Sequence, residues 1–250
     1  MSMLELIEVT ADNVEKTRFF CKMSAKGKPG YERKMAWLKK RFEEGLRMRL
    51  LGDGERGFVE YIPGDFAWRG IENAGRYLVI HCLWVVGKSK GKGFGKYLLN
   101  QVIDEAKADG YAGVAALTSS GNWLINNKVL KSAGFESVEQ SDPFDLMALR
   151  FDESAALPGI VGDFEKKARR VPKGLAVFRT DQCPYIDDAV LHAKSYADSK
   201  GWDFTEVEME SAAALRELCP TPYGTFAITL DGKFLSYTYM LKKDFEKLGL

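Results

Sequence analysis

Apolar and polar positions along the chain alternate in blocks that read as short strands and helices in succession. Leu4–Val9 reads as a first strand, followed by helices over Asn13–Phe20 and Tyr31–Glu44, the second with Met35, Leu38 and Phe42 at helical spacing. Leu46–Leu51 and Gly57–Ile62 read as strands joined by the turn Gly52-Asp53-Gly54. Tyr77–Val86 is nearly continuous in β-formers, the pattern of a strand buried on both faces. A stretch rich in glycine and lysine leads to a helix with Phe94, Leu98, Leu99, Val102, Ile103 and Ala106 on one face, ended by Gly110. Tyr111–Leu117 then reads as a strand and Asn122–Ala133 as a helix. Phe135–Val138 begins a further strand that resumes at Phe144–Phe151.

The pattern changes over residues 152–173, which are charged and punctuated by Pro158, Gly159, Gly162 and Pro172; this segment is expected to be a linker. A second α/β unit, 174–250, follows in the order β-α-β-α-β-β-α. Its final hairpin turns over Asp231-Gly232, the strongest short turn signal in the chain. No internal repeat is present, and two domains suit the 250 residues.

Composition removes several classes of function. With 36 basic and 35 acidic side chains the net charge is +1, so no global field draws the protein to nucleic acid or an anionic membrane. The longest apolar run is half of the roughly 20 residues that a membrane helix requires. Cys21, Cys82, Cys183 and Cys219 are scattered, with no CxxC pair and no zinc-like spacing, so no metal is expected. The N-terminus has no basic start and no apolar core of a signal peptide. Together these imply a reducing, cytoplasmic setting. Nothing in the composition excludes a homo-oligomer.

Chemistry concentrates in Lys88-Ser89-Lys90-Gly91-Lys92-Gly93-Phe94-Gly95-Lys96, between the apolar strand and the amphipathic helix. Backbone N–H groups at a helix start lie at the positive end of its dipole and suit a diphosphate. Glycines admit positive φ and close approach, and lysines add charge. The Walker A spacing GxxxxGK[ST] fails, as does the dinucleotide fingerprint GxGxxG, because Gly95 comes one position early.

Lys90-Gly91-Lys92-Gly93-Phe94-Gly95 resembles the acetyl-CoA loop of the GNAT superfamily, Gln/Arg-x-x-Gly-x-Gly/Ala, with lysine in the first position. Leu83-Trp84-Val85 is similar to the family's Leu-x-Val strand end, and Lys131-Ser132-Ala133-Gly134-Phe135 to its Gly-Phe helix end. The resemblance covers residues 1–151. It implies a mixed, mostly antiparallel twisted sheet flanked by helices (α/β, or α+β) and an acetyl-CoA-dependent N-acetyltransferase. It also implies that Lys90, Gly91, Lys92, Gly93, Phe94, Gly95 and Lys96 hold the pyrophosphate, while Val85 and Val86 position the thioester. The implied acceptor is the amine of a small molecule. Two departures stand out: Leu130 occupies the position of the family's frequent tyrosine, and Asn122 is one residue out of register with the usual helix start.

Acetyl transfer needs a neutral amine, hence a general base or a water relay. His81, four residues before Val85, and Glu60, on the preceding strand, are the candidates. Each also has a structural reading, His81 as a histidine satisfied within a buried strand and Glu60 as a solvent-facing or ion-paired carboxylate. Cys82 is expected to face away from His81, into the core. Tyr61, Phe66, Trp68 and Trp123 could line an acceptor pocket or simply pack.

In the second unit Thr180-Asp181-Gln182-Cys183-Pro184-Tyr185-Ile186 follows a strand and opens a helix, where a thiolate is stabilised by the dipole. The element order, with Thr221-Pro222 before a strand, resembles the thioredoxin fold, whose cis-proline faces the active cysteine. Ile186 stands where glutaredoxins carry the resolving cysteine. An acetyltransferase domain followed by such a unit resembles the YoaP-like acetyltransferases. Two other readings stay open: a CoA-binding sensor without turnover, and a monothiol redox protein acting through Cys183.

Overall fold

The first strand spans Leu6–Val9 (β1) in the computed structural model, which describes residues 4–121 and 124–250. Helices α1 (Val14–Thr17) and α2 (Pro29–Glu43) follow, α1 cut short where Arg18 takes a φ of 61°. Then come β2 (Arg47–Leu51), β3 (Gly57–Pro63), the short β4 (Ile71–Glu72) and β5 (Tyr77–Val85). Helix α3 (Phe94–Ala108), β6 (Gly113–Ser119), α4 (Asn127–Lys131) and the hairpin β7 (Glu136–Ser141) and β8 (Phe144–Arg150) follow. The seven-stranded sheet has the order β1-β2-β3-β5-β6-β8-β7, and only its β5–β6 pair is parallel. This is the expected mixed, mostly antiparallel sheet.

Residues group into two compact units. One holds the described residues up to 23 with 38–67 and 71–160; the other holds 24–37, 68–70 and 161–250. The segment expected as a linker is partly structured. It carries β9 (Gly159–Ile160), paired antiparallel with β4, and α5 (Phe164–Ala168). The Glu139 carboxylate accepts a hydrogen bond from the Ile160 amide at 2.7 Å, which fixes the β9 end. Helix α4 is also shorter than its apolar pattern predicts. Asn122 and Trp123 lie outside the described residues, Ile125 forms a parallel bridge to Thr118, and Asn126 caps the helix by accepting from the Lys128 amide at 2.8 Å.

In the first unit α3 buries Leu98, Leu99, Val102, Ile103 and Ala106 against Val59, Tyr61, Leu78, Ile80, Val114 and Ala116. Each fully buried aliphatic side chain contributes about 1.5–3 kcal/mol, so this face is the main source of cohesion. One carboxylate is set into it. Glu105 accepts from the Tyr61 hydroxyl at 2.6 Å, from Arg47 at 2.9 Å and from Arg49 at 3.1 Å. Burial pushes the Glu105 carboxyl up, but the bonds from Tyr61 and Arg47 prevail and hold it below its ordinary value. The same environment, burial first, drives the Tyr61 hydroxyl upward.

The second unit runs β10 (Leu175–Arg179), α6 (Ile186–Lys200), β11 (Phe204–Glu208), α7 (Ala212–Leu218), β12 (Phe226–Leu230), β13 (Lys233–Ser236) and α8 (Lys242–Lys247). Its sheet order is β11-β10-β12-β13, with β10 parallel to β11 and antiparallel to β12. The β12–β13 turn works as its residues demand: Asp231 and Gly232 take φ of 49° and 72°. Among the described residues no helix is long and apolar enough to cross a membrane.

A depressed carboxyl stabilises the fold above its unfolded value, 4.5, and that stabilisation is lost as pH falls through the folded value. Glu105→Gln is therefore expected to cost about 1–3 kcal/mol at neutral pH. Its melting temperature should converge on the parent's as pH drops below 4.5. A gap that stays constant across that range contradicts the role given to Glu105.

Candidate active site

Strand β5 runs to Val85 and β6 to Ser119, yet their ladder extends only from Tyr77–Gly113 to Ile80–Ala116. Beyond Ile80 the two parallel strands separate at their carboxyl ends, the place where open sheets take ligands. On its other edge β5 stays paired with β3 as far as Gly57–Val85, but the register slips. Glu60 faces Cys82 while Tyr61 faces Ile80, so His81 is the extra residue of a bulge.

The bulge sets which side chains share a face. Leu78 and Ile80 before it, and Leu83 and Val85 after it, belong to or pack on the α3-side core. His81 and Cys82 both fall outside that set. Cys82 is half-buried rather than a core residue on the face opposite His81, because the bulge breaks the alternation on which that expectation rested. Glu60 lies between Val59 and Tyr61, both members of the core, and so points away from α3 as well. His81 Nδ1 and Glu60 Oε1 are 3.4 Å apart, with both residues 2% exposed. The two base candidates are one buried pair, ionic whenever the imidazole is protonated. On the same side of the sheet the Phe20 ring lies tilted against Phe58 at 5.2 Å and edge-on to Trp84 at 5.8 Å, and Trp84 is 41% exposed. This aromatic group was not singled out from sequence, since Phe20 lies far from the strands in the chain.

The glycine loop follows the separating end of β5. Val86 is extended, and its amide donates to the Arg56 carbonyl at 3.0 Å, so Val86 offers no N–H to a ligand; Val85 remains half-buried at the strand end. Gly91 and Gly93 take φ of 77° and 83°, and a Cβ on either would meet nothing within 4 Å. Their glycine identity thus answers to backbone conformation, and the space above them is open. Gly93 is the left-handed residue before α3, which has no side-chain cap, so the amides of Phe94, Gly95 and Lys96 open the helix. Lys90 and Lys96 are exposed. Lys92 is committed elsewhere: its Nζ lies 2.7 Å from the Glu55 carboxylate, which also accepts from Ser89 Oγ at 2.5 Å. Neither Glu55 nor Ser89 is visible as functional in the sequence.

The described aromatic residues weighed for an acceptor pocket lie apart in environment. Tyr61 is buried against Glu105 on the α3 side. Trp68 is buried in the second unit, edge-on to Trp37 at 5.5 Å. Phe66 is 44% exposed, and Trp123 lies outside the described residues. A cavity of about 610 Å³ lies beyond the end of β6, bordered by Thr118, Ser119, Asn126, Lys128, Gln140 and Asp145.

In the second unit α6 begins at Ile186, so Cys183 and Pro184 lie in the turn ahead of the helix and not in its first turn; the Cys183 carbonyl accepts from the Ile186 amide at 3.1 Å. Beside it, Gln182 Oε1 accepts from Arg69 at 2.6 Å and from Thr225 Oγ1 at 2.6 Å. The Thr221–Pro222 peptide is not cis; among the described residues the cis bond is Asp142–Pro143. Burial pushes the Cys219 thiol up to about 11. No group of three or more His, Cys, Asp or Glu side chains among the described residues could hold a metal ion.

Residues 8–135 match the model of the acetyltransferase (GNAT) family. The chain belongs to the GNAT acetyltransferase family. Over 246 residues it is 31% identical to an uncharacterized N-acetyltransferase of Bacillus subtilis (strain 168), YoaP, covering 97% of each chain. Among solved structures, yncA from Salmonella typhimurium with its cofactor acetyl-CoA is 18% identical, with a TM-score of 0.45 over 61% of this chain and 96% of that one. The ribosomal-protein-S18-alanine N-acetyltransferase from Escherichia coli is 16% identical, with a TM-score of 0.41 over 62% of this chain and all of that one (100%).

In this GNAT chain Leu130 is fully buried in the core beneath the sheet, alongside Phe135 and Met147. It is a packing residue. Leu130→Tyr is therefore expected to lower stability by about 1–3 kcal/mol through overpacking. Thermal unfolding checks this; a tyrosine accepted without loss contradicts it.

Proposed function

We propose that the first unit binds acetyl-CoA with its diphosphate on Lys90, Gly91, Lys92, Gly93, Phe94, Gly95 and Lys96, and transfers the acetyl group to the amine of a small molecule by direct attack. The observation that carries this reading is the end of the β5–β6 ladder at Ile80–Ala116, directly before a glycine loop that opens an uncapped helix. The pantetheine arm, with its two amides, suits the strand edge that opens beyond Ile80. The diphosphate suits the α3 amides at the positive end of the dipole. Lys92 contributes less charge to it than its position implies, being paired with Glu55.

The base is His81 supported by Glu60. A carboxylate 3.4 Å from Nδ1 steadies the ring's charge after it takes the amine's proton. The amine nitrogen attacks the thioester carbonyl, the C–S bond breaks, and CoA leaves as thiolate. A thiol of ordinary acidity, about 8.5, leaves without obligatory protonation, which accommodates Leu130 in place of tyrosine. Phe20, Phe58 and Trp84 border the same face and would meet the acceptor's apolar part. The second unit is read as thioredoxin-like on its order β11-β10-β12-β13.

Titration calorimetry with acetyl-CoA tests the first step. The parent should bind, and Gly93→Asp, which forces a charged side chain onto a left-handed residue, should bind at least about tenfold more weakly. Equal binding, or none by either protein, sinks the reading. For the chemistry, His81→Ala and Glu60→Gln should each lower CoA release on a panel of amines, His81→Ala by about a hundredfold or more. Acetyl-CoA affinity should not change. Unaltered turnover in His81→Ala would remove it from the mechanism.

A further inference from the structure

Among residues 87–93 the side chain of Ser89 is unusual: it is 2% exposed, while the lysines at 88, 90 and 92 face solvent. Its hydroxyl donates to Glu55 Oε2 at 2.5 Å and accepts from the Arg56 amide at 2.7 Å. Lys92 reaches the other Glu55 oxygen at 2.7 Å, and the Arg56 carbonyl accepts from the Val86 amide at 3.0 Å. The approach of the hairpin to the strand end is close as well: a Cβ on Gly57 would lie 3.0 Å from the Trp84 carbonyl. Thus the β2–β3 hairpin, through Glu55 and Arg56, grips the loop at Val86, Ser89 and Lys92.

Two physical effects of Glu55 on a bound diphosphate oppose each other. Its negative charge near an anion site costs affinity. Against this, Gly91 and Gly93 leave the loop few side-chain constraints of its own, and a loop held in its binding form loses less entropy when the ligand arrives. We infer that Glu55, acting through Ser89 and Lys92, is a positioning residue that sets the glycine loop for the diphosphate of acetyl-CoA. This rests on the cofactor reading above and extends it to a residue outside the loop.

The sign of the effect is the test. Removing a negative charge would strengthen acetyl-CoA binding if charge alone mattered; removing a positioning residue weakens it. Calorimetric titration of acetyl-CoA into Glu55→Ala and Ser89→Ala should give a Kd raised about three- to tenfold in each. The double variant should show little further loss, because both changes cut the same link. Glu55→Gln lacks the charge as Glu55→Ala does but keeps an acceptor for Ser89, so it should bind acetyl-CoA more tightly than Glu55→Ala. Should Glu55→Ala fail to fold, Ser89→Ala and Glu55→Gln carry the same comparison. Parent-like or tighter binding by Glu55→Ala and Ser89→Ala overturns the positioning role alone. No binding by the parent overturns the cofactor site and this role with it.

Discussion

Parallel strands that pair for only part of their length leave backbone donors and acceptors facing each other across a gap that neither can close. Here β5 and β6 pair for four residues and then separate, β6 staying with β8 through Ser119 and β5 staying with β3 through Val85. The rest of the site depends on that separation. It leaves the β5 edge unpaired with β6 between Ile80 and the glycine loop. The apolar face buried by α3 makes the arrangement rigid, since Leu83 and Val85 stay anchored on that core while the opposite edge opens.

The bulge at His81 serves the same geometry from the other edge. His81, next to the core residue Ile80, points away from the core by ordinary alternation; the residue added at the bulge keeps Cys82 off that core as well and returns Leu83 and Val85 to the α3 side. The two groups of candidate residues therefore lie on different faces. The loop and α3 lie on one; Glu60, His81 and the Phe20–Phe58–Trp84 group lie on the other. Sequence parity alone would have placed His81 and Cys82 on opposite faces.

What the sequence made legible was local. Apolar spacing marked α3, the glycines marked positions of positive φ, and Asp231-Gly232 marked a hairpin whose residues take the left-handed angles such a turn needs. What it hid was set by pairing at a distance. The meeting of Glu60 with His81 depends on the β3–β5 register. The roles of Glu55 and Ser89 depend on where the β2–β3 hairpin closes. The burial of Tyr61 against Glu105 depends on how α3 lies on the sheet. Residues 24–37 and 68–70 group with the second unit, an association that no local pattern announces; within it Arg33 meets Asp187 at 3.4 Å and Arg69 meets Gln182. Family membership, by contrast, was readable because the loop and the Gly-Phe helix end are contiguous in the chain.

The central claim is that acetyl-CoA occupies the gap between β5 and β6 with its diphosphate on the loop. A crystal structure of the full chain grown with acetyl-CoA tests it most directly. The account predicts diphosphate oxygens about 3 Å from amides of residues 91–96 and the pantetheine arm along β5 beyond Ile80. Acetyl-CoA found elsewhere on the chain, with the gap between the strands left unfilled, would contradict it.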